Sequence, residues 1–174
     1  MSIRDNILNI KDEIGDKAKL VVVSKTRSTK EINDAYNSGH KIFGENRVQE
    51  IVVKQKLLPD DIEWHMIGHL QKNKVKYIIP FIHLIHSVDS IELLDKINSV
   101  SEKKQRQTKC LIQIKIAREE SKFGLSISNF NTIKNEINQY SNIKIKGLMG
   151  MATATTNKKL IKQEFNTLFK LYKS

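Results

Sequence analysis

The chain has 174 residues, 39% of them hydrophobic and 28% charged, with 30 Lys plus Arg against 19 Asp plus Glu for a net charge of +11. That length suits one domain with a real core, expected to span 1–174. The composition excludes a bilayer-spanning segment, and a single cysteine, Cys110, excludes an internal disulfide or a cysteine zinc cluster.

The first stretch, MSIRDNILNIKDEI, spreads charges through an amphipathic pattern and has no apolar block of the signal-peptide kind, so it predicts a leading helix and a cytoplasmic protein. Leu20–Ser24 is apolar and β-branched, the pattern of a strand buried on both faces. Ser28 to Glu31 forms a capping box that opens a helix, with Gly39 as its expected end. Lys41–Gly44 is a second strand. Asn46 can cap the following helix, which ends before Pro59, or it can point into the mouth of the fold. Ile62–Ile67 is a third strand, with a short basic helix from about Leu70. His83–Val88 is a fourth. Asp89 to Glu92 is a second capping-box pattern, opening a helix through about Lys103. Cys110–Ile116, a helix over about Ser128–Tyr140, a strand Ile143–Met149 and an amphipathic helix Lys158–Tyr172 complete the series.

Strands separated by helices predict a mostly parallel sheet, with about six β–α units after the leading helix. A doubly wound sheet and a barrel, which needs eight units, both satisfy this pattern. No Gly-x-Gly-x-x-Gly or Walker loop follows the first strand, which argues against a nucleotide site of either kind. The lysines are scattered and aromatics make up only 6% of the chain, so a solvated basic surface is a better reading than a nucleic-acid interface.

Lys25 directly follows the first apolar strand. A lysine there can simply be leaving the core for water. In a parallel barrel, however, strand C-termini build the active face, and a partly desolvated ε-amine held there can attack an aldehyde. His65, His69 and His86 invite a zinc reading, but no glutamate lies between His65 and His69, and Gly68 interrupts the element that would hold them.

The blocks VVVSKT, FGENRVQE, WHMIGHLQKNK, IHSVDS, EESKFGL and IKGLMGMA stand in the order and spacing of the pyridoxal phosphate homeostasis proteins, and from about Leu20 onwards the chain resembles that family. The family is similar in turn to the barrel domain of alanine racemase. The resemblance implies an α/β fold: a TIM-type (β/α) barrel of the alanine racemase N-terminal type, incomplete, with about six of eight units. It implies pyridoxal 5'-phosphate as cofactor, with Lys25 as the Schiff-base lysine and Asn46, His65, His86 and Met149 lining the cofactor end. It implies no metal, no membrane, no nucleic acid and no firm catalytic reaction, but rather buffering of the cofactor or its delivery to pyridoxal-phosphate-dependent apoenzymes. Racemase activity needs a second base from a further domain, and a basic RNA-binding module rests on charge alone. The family's late Ser-Met-Gly-Met-Ser and Arg-x-Gly segments, which hold the phosphate and face the ring nitrogen, have no counterpart in this sequence. The expectation is therefore an open, marginally stable barrel that binds the cofactor weakly and self-associates through its edge strands, whereas the family is expected to be monomeric.

Overall fold

The computed structural model describes residues 2–119 and 123–174. Along the chain run α1 (Ile3–Ile14), β1 (Val22–Val23), α2 (Thr29–Asn37), β2 (Ile42–Glu45), α3 (Val48–Leu57), β3 (Glu63–Met66), α4 (Val75–Ile78), β4 (Leu84–Val88), α5 (Ile91–Lys103), β5 (Thr108–Ile114), α6 (Ile127–Glu136), β6 (Ile143–Gly150) and α7 (Lys158–Lys173). The six strands pair in sequence order, and every pairing is parallel. A doubly wound sheet reverses direction at a switch point, and this order has none. Strand-to-strand steps of one constant hand keep the helices on one side, as in a barrel wall.

One sheet face carries the core. Phe43, Trp64, Met66, Ile85, Cys110 and Ile112 are buried there and pack with Ile51, Val75, Ile78, Leu94 and Ile97. Cys110 is fully buried, and its thiol pKa is pushed up by loss of solvent. The opposite, inner face alternates with this one along each strand. It carries Val23, His65, Lys109 and Leu111, more exposed on the whole, although His65 is buried.

Several boundaries differ from the sequence pattern for local reasons. Leu20–Ser24 is not buried on both faces: only Val22 and Val23 pair, β2 is the one strand beside β1 among the described residues, and Val23 is 48% exposed. Asn46 does not cap α3; Arg47 occupies the cap position, without a side-chain bond. Asn46 instead has Gly68 against its main chain, where an added Cβ would lie 2.4 Å from the Asn46 carbonyl oxygen. The cap of α5 is Ser90, which accepts from the Leu93 amide, and not Asp89, which bonds His69. The basic helix after Leu70 is a 3-10 turn over Lys72–Lys74 running into α4. β5 starts two residues early, at Thr108, and α6 starts at Ile127 behind the cap Ser126. Along α7 the expected apolar stripe is only partly used. Leu168 and Leu171 pack on the core, while Phe165, Phe169 and Tyr172 stay exposed. The buried α7 residue is Glu164, whose carboxylate accepts the Thr153 amide at 2.8 Å and its hydroxyl at 2.6 Å, fixing the loop after β6. Of the EESKFGL block, Glu120, Ser121 and Lys122 lie outside the described residues.

Candidate functional site

Lys25 leaves the sheet at the C-terminal end of β1. The ladder reaches Ser24, whose amide donates to the Gly44 carbonyl at 2.9 Å. Ser24 faces the helices and is buried; Lys25 follows it in the turn, where its side chain is exposed. The chain then turns sharply: the Arg27 amide donates to the Ser24 carbonyl at 3.0 Å, and Thr26 adopts φ +63°. A β-branched residue in the left-handed region is an outlier that its surroundings must hold in place.

Behind this turn lies a buried polar network. Ser24 Oγ donates to Glu45 Oε1 at 2.7 Å. Lys54 Nζ donates to the same oxygen at 2.7 Å, to the Ser24 carbonyl at 2.9 Å and to Glu50 Oε2 at 3.2 Å. Glu50 Oε2 also accepts the Thr26 amide at 3.0 Å, and that bond holds the Glu50 carboxyl below its ordinary pKa, with help from Lys54. Lys54 comes from the stripe of α3 that also buries Val48 and Ile51. Glu45 Oε2 has no hydrogen-bond partner among the described residues.

The two histidines expected in the site do meet. His86 and His65 share a hydrogen bond of 2.9 Å between His86 Nε2 and His65 Nδ1. Trp64 and Met66 face the helices, so His65 between them faces inward, and His86 joins it there. Burial lowers both pKa values, His65 to about 3, where the neighbouring His86 and His83 and the Lys109 ammonium further oppose its taking up a proton. Both rings are therefore neutral near pH 7, and such a pair passes a proton only by exchanging tautomers. Met149 is half-buried on β6 opposite Gln113. Lys25 and Asn46 thus stand at the strand C-termini, His65 and His86 within the sheet on the inner face, and Met149 at its far side.

His69 does not join the other histidines. It bonds Asp89 at 2.9 Å and stacks on Phe123 with ring centroids 4.4 Å apart. Ser87 Oγ secures the neighbouring Gly68 carbonyl at 2.6 Å. A different trio, Glu63, His65 and His83, brings its ligand atoms within 4.8 Å of one another. Lys19, Lys109 and Arg106 direct positive charge at these histidines, and Glu63 already pairs with His83 at 3.3 Å. That surplus of cations opposes a divalent ion. A largely apolar depression of about 420 Å³, lined by Ile3, Ile7, Ile10, Val22 and Ala35, lies between α1, α2 and β1. It offers packing surface and little of the polarity that a phosphate requires.

For an aldehyde-bearing cofactor, the residues present fit at one end. Lys25 supplies an exposed amine on a turn whose flanking peptides are tied down, and neutral imidazoles lie on the inner face of β3 and β4. The sequence pattern did not point to Glu45, Glu50 or Lys54. The available signal was a lysine at the i+3 position from Ile51, inside an apolar helix stripe.

Residues 1–173 match the family model described as alanine racemase, N-terminal domain. The chain is 38% identical to the pyridoxal phosphate homeostasis protein of Aquifex aeolicus over 155 residues, covering 88% of this chain and 68% of the relative. It is 40% identical to the human protein of that name over 141 residues, covering 75% of this chain and 51% of the relative. Among solved structures, PipY of Synechococcus elongatus with pyridoxal phosphate bound superposes with a TM-score of 0.91 at 27% identity, covering 99% of this chain and 81% of that one. Alanine racemase from Bartonella henselae shares the fold with a TM-score of 0.75 at 14% identity, covering 97% of this chain and 49% of that one. Among the described residues, no helix is long and apolar enough to cross a membrane.

Proposed function

The chain belongs to the pyridoxal phosphate homeostasis protein family, built on the alanine racemase N-terminal domain, and from that premise we propose that it binds pyridoxal 5'-phosphate covalently through Lys25. It acts as a carrier that buffers the cofactor in the cytoplasm and passes it to apoenzymes. The observation that supports this reading is an exposed lysine in the turn directly after a parallel strand, at the strand's C-terminal end. When bound, the cofactor supplies an aldehyde for the amine and an electron-withdrawing ring. Lys25 offers its amine, Asn46 lines the rim, and Met149 lines the far side. His65 and His86 remain uncharged and set the polarity of the inner face. Asn46 and His86 shape the pocket without serving a turnover.

Pyridoxal phosphate followed by borohydride reduction and peptide mapping tests the assignment. A single modified peptide carrying Lys25, lost in Lys25→Ala, is the expected result. Modification spread over many lysines, or unchanged in the variant, refutes it. The carrier reading is tested separately by incubation with L-alanine. Steady formation of D-alanine, abolished in His86→Ala or Asn46→Ala, would make the protein an enzyme.

A further inference from the structure

The largest polar investment in the fold sits where the attachment of a cofactor makes no direct use of it. Lys54 is 9% exposed and Glu45 is fully buried, both on the helix side of the sheet. Packing alone would be served better by an apolar residue at position 54, since the same stripe holds Val48 and Ile51. The ammonium has three acceptors instead: the Ser24 carbonyl, Glu45 Oε1 and Glu50 Oε2. The two carboxylates reach the same short segment. Glu45 takes the Ser24 hydroxyl, and Glu50 takes the Thr26 amide. The residue before Lys25 is thus held by its carbonyl and its hydroxyl, and the residue after it by its amide. Thr26 keeps its left-handed conformation with the Glu50 bond on its amide.

We infer that Lys54, Glu45 and Glu50 are positioning residues, a clamp on the peptides either side of Lys25 that fixes the backbone from which the Lys25 amine extends. This rests on Lys25 being the point of attachment. They act through the Ser24 and Thr26 peptides. Their contribution is preorganisation: backbone freedom around Lys25 is lost on folding and not again on capture. Releasing the segment should lower capture at Lys25 about tenfold, the factor set by ordering roughly one residue. A network that merely fills the core would lower stability and leave capture by the folded protein unchanged.

The test compares the chain with Glu50→Ala, Glu50→Gln and Lys54→Met. The control is Ile51→Val, which loosens the same helix without touching the network. Labelling of Lys25 is measured at subsaturating pyridoxal 5'-phosphate by borohydride trapping, and exchange of the Thr26 amide is measured on cofactor-free protein. Glu50→Ala should speed Thr26 exchange and cut Lys25 labelling about tenfold. Glu50→Gln, which still offers an acceptor to that amide, should recover part of the labelling. Ile51→Val should match the unsubstituted chain in both readouts. Should Lys54→Met not fold, the Glu50 variants decide, because that side chain is 25% exposed and its loss is tolerated more readily. Unchanged labelling in Glu50→Ala, or an equal loss in Ile51→Val, overturns the clamp. Absence of Lys25 labelling in the unsubstituted chain overturns the attachment itself, and the clamp's role with it.

Discussion

The two faces of the sheet handle ionisable groups in opposite ways. On the helix-covered face, Glu45 and Lys54 are buried together at 2.7 Å, and the charge is accepted because it is paired and hydrogen-bonded. On the inner face, His65 and His86 are brought together at 2.9 Å, and the charge is suppressed. One face holds ions by compensation, and the other holds imidazoles by keeping them neutral. A positively charged protein thereby keeps an inner face where two rings add nothing to the repulsion around Lys25.

The sharpest way to break this comparison is to strip the covered face of its packing. Trp64 is 1% exposed between Phe43 and the helices, and Trp64→Ala should cost about 3–5 kcal/mol in urea unfolding. Leu111 on the inner face is only half-buried, so Leu111→Ala should cost clearly less. A smaller loss follows from weakening the buried pair: Glu45→Ala leaves Lys54 with only the Ser24 carbonyl and Glu50 and should cost about 2–3 kcal/mol. Replacing both together, Glu45→Leu with Lys54→Met, should cost much less, because no buried ion remains. Equal losses from the single and double replacements would show that the pair is not held by mutual compensation.

The inner face is probed by pH. Burial keeps His65 at about 3 against 6.5 for a free imidazole, so the unfolded chain takes up a proton that the folded chain refuses. This contribution is complete above about pH 6.5 and is lost as pH falls towards 3, by up to about 1.4 kcal/mol per pH unit for one group. His86, also lowered by burial, steepens the loss. Unfolding curves at pH 7 and pH 5 should therefore diverge in the natural chain and diverge less in His65→Gln. The smallest effect concerns a helix end. Ser90→Ala removes the cap of α5 and should cost about 1 kcal/mol, with no change in the pH dependence. Asp89→Ala should leave α5 intact and free His69, visible as a changed His69 ring resonance by NMR at fixed pH.

The order and type of the elements were legible because apolar strands alternate with amphipathic helices, and sequence order became spatial order. Facing was less legible. Whether Val23 or Ser24 turns inward depends on one residue of register, and the apolar run at Leu20–Ser24 gives no alternation to read it from. The motif blocks marked His65 and His86 as residues of one end of the fold, whereas their contact, and the neighbourhood of His65 with Glu63 and His83, needed the strand pairing. Asp89 and Ser90 illustrate a competition that spacing cannot resolve. Both residue types cap helices, and the carboxylate was drawn away by His69, twenty residues earlier in the chain. Lys54 was hidden by its chemistry, since a lysine on a helix is ordinarily solvated and its partners come from two other elements.

Cys110 carries one more consequence. As the sole sulfhydryl of the chain, sealed between β5 and the helix layer with its ionisation suppressed, it is invisible to alkylating reagents while the wall stays shut. Each alkylation event therefore marks one excursion in which that wall has parted. The folded protein carries a built-in clock for its own breathing, readable by mass at a single site without any substitution.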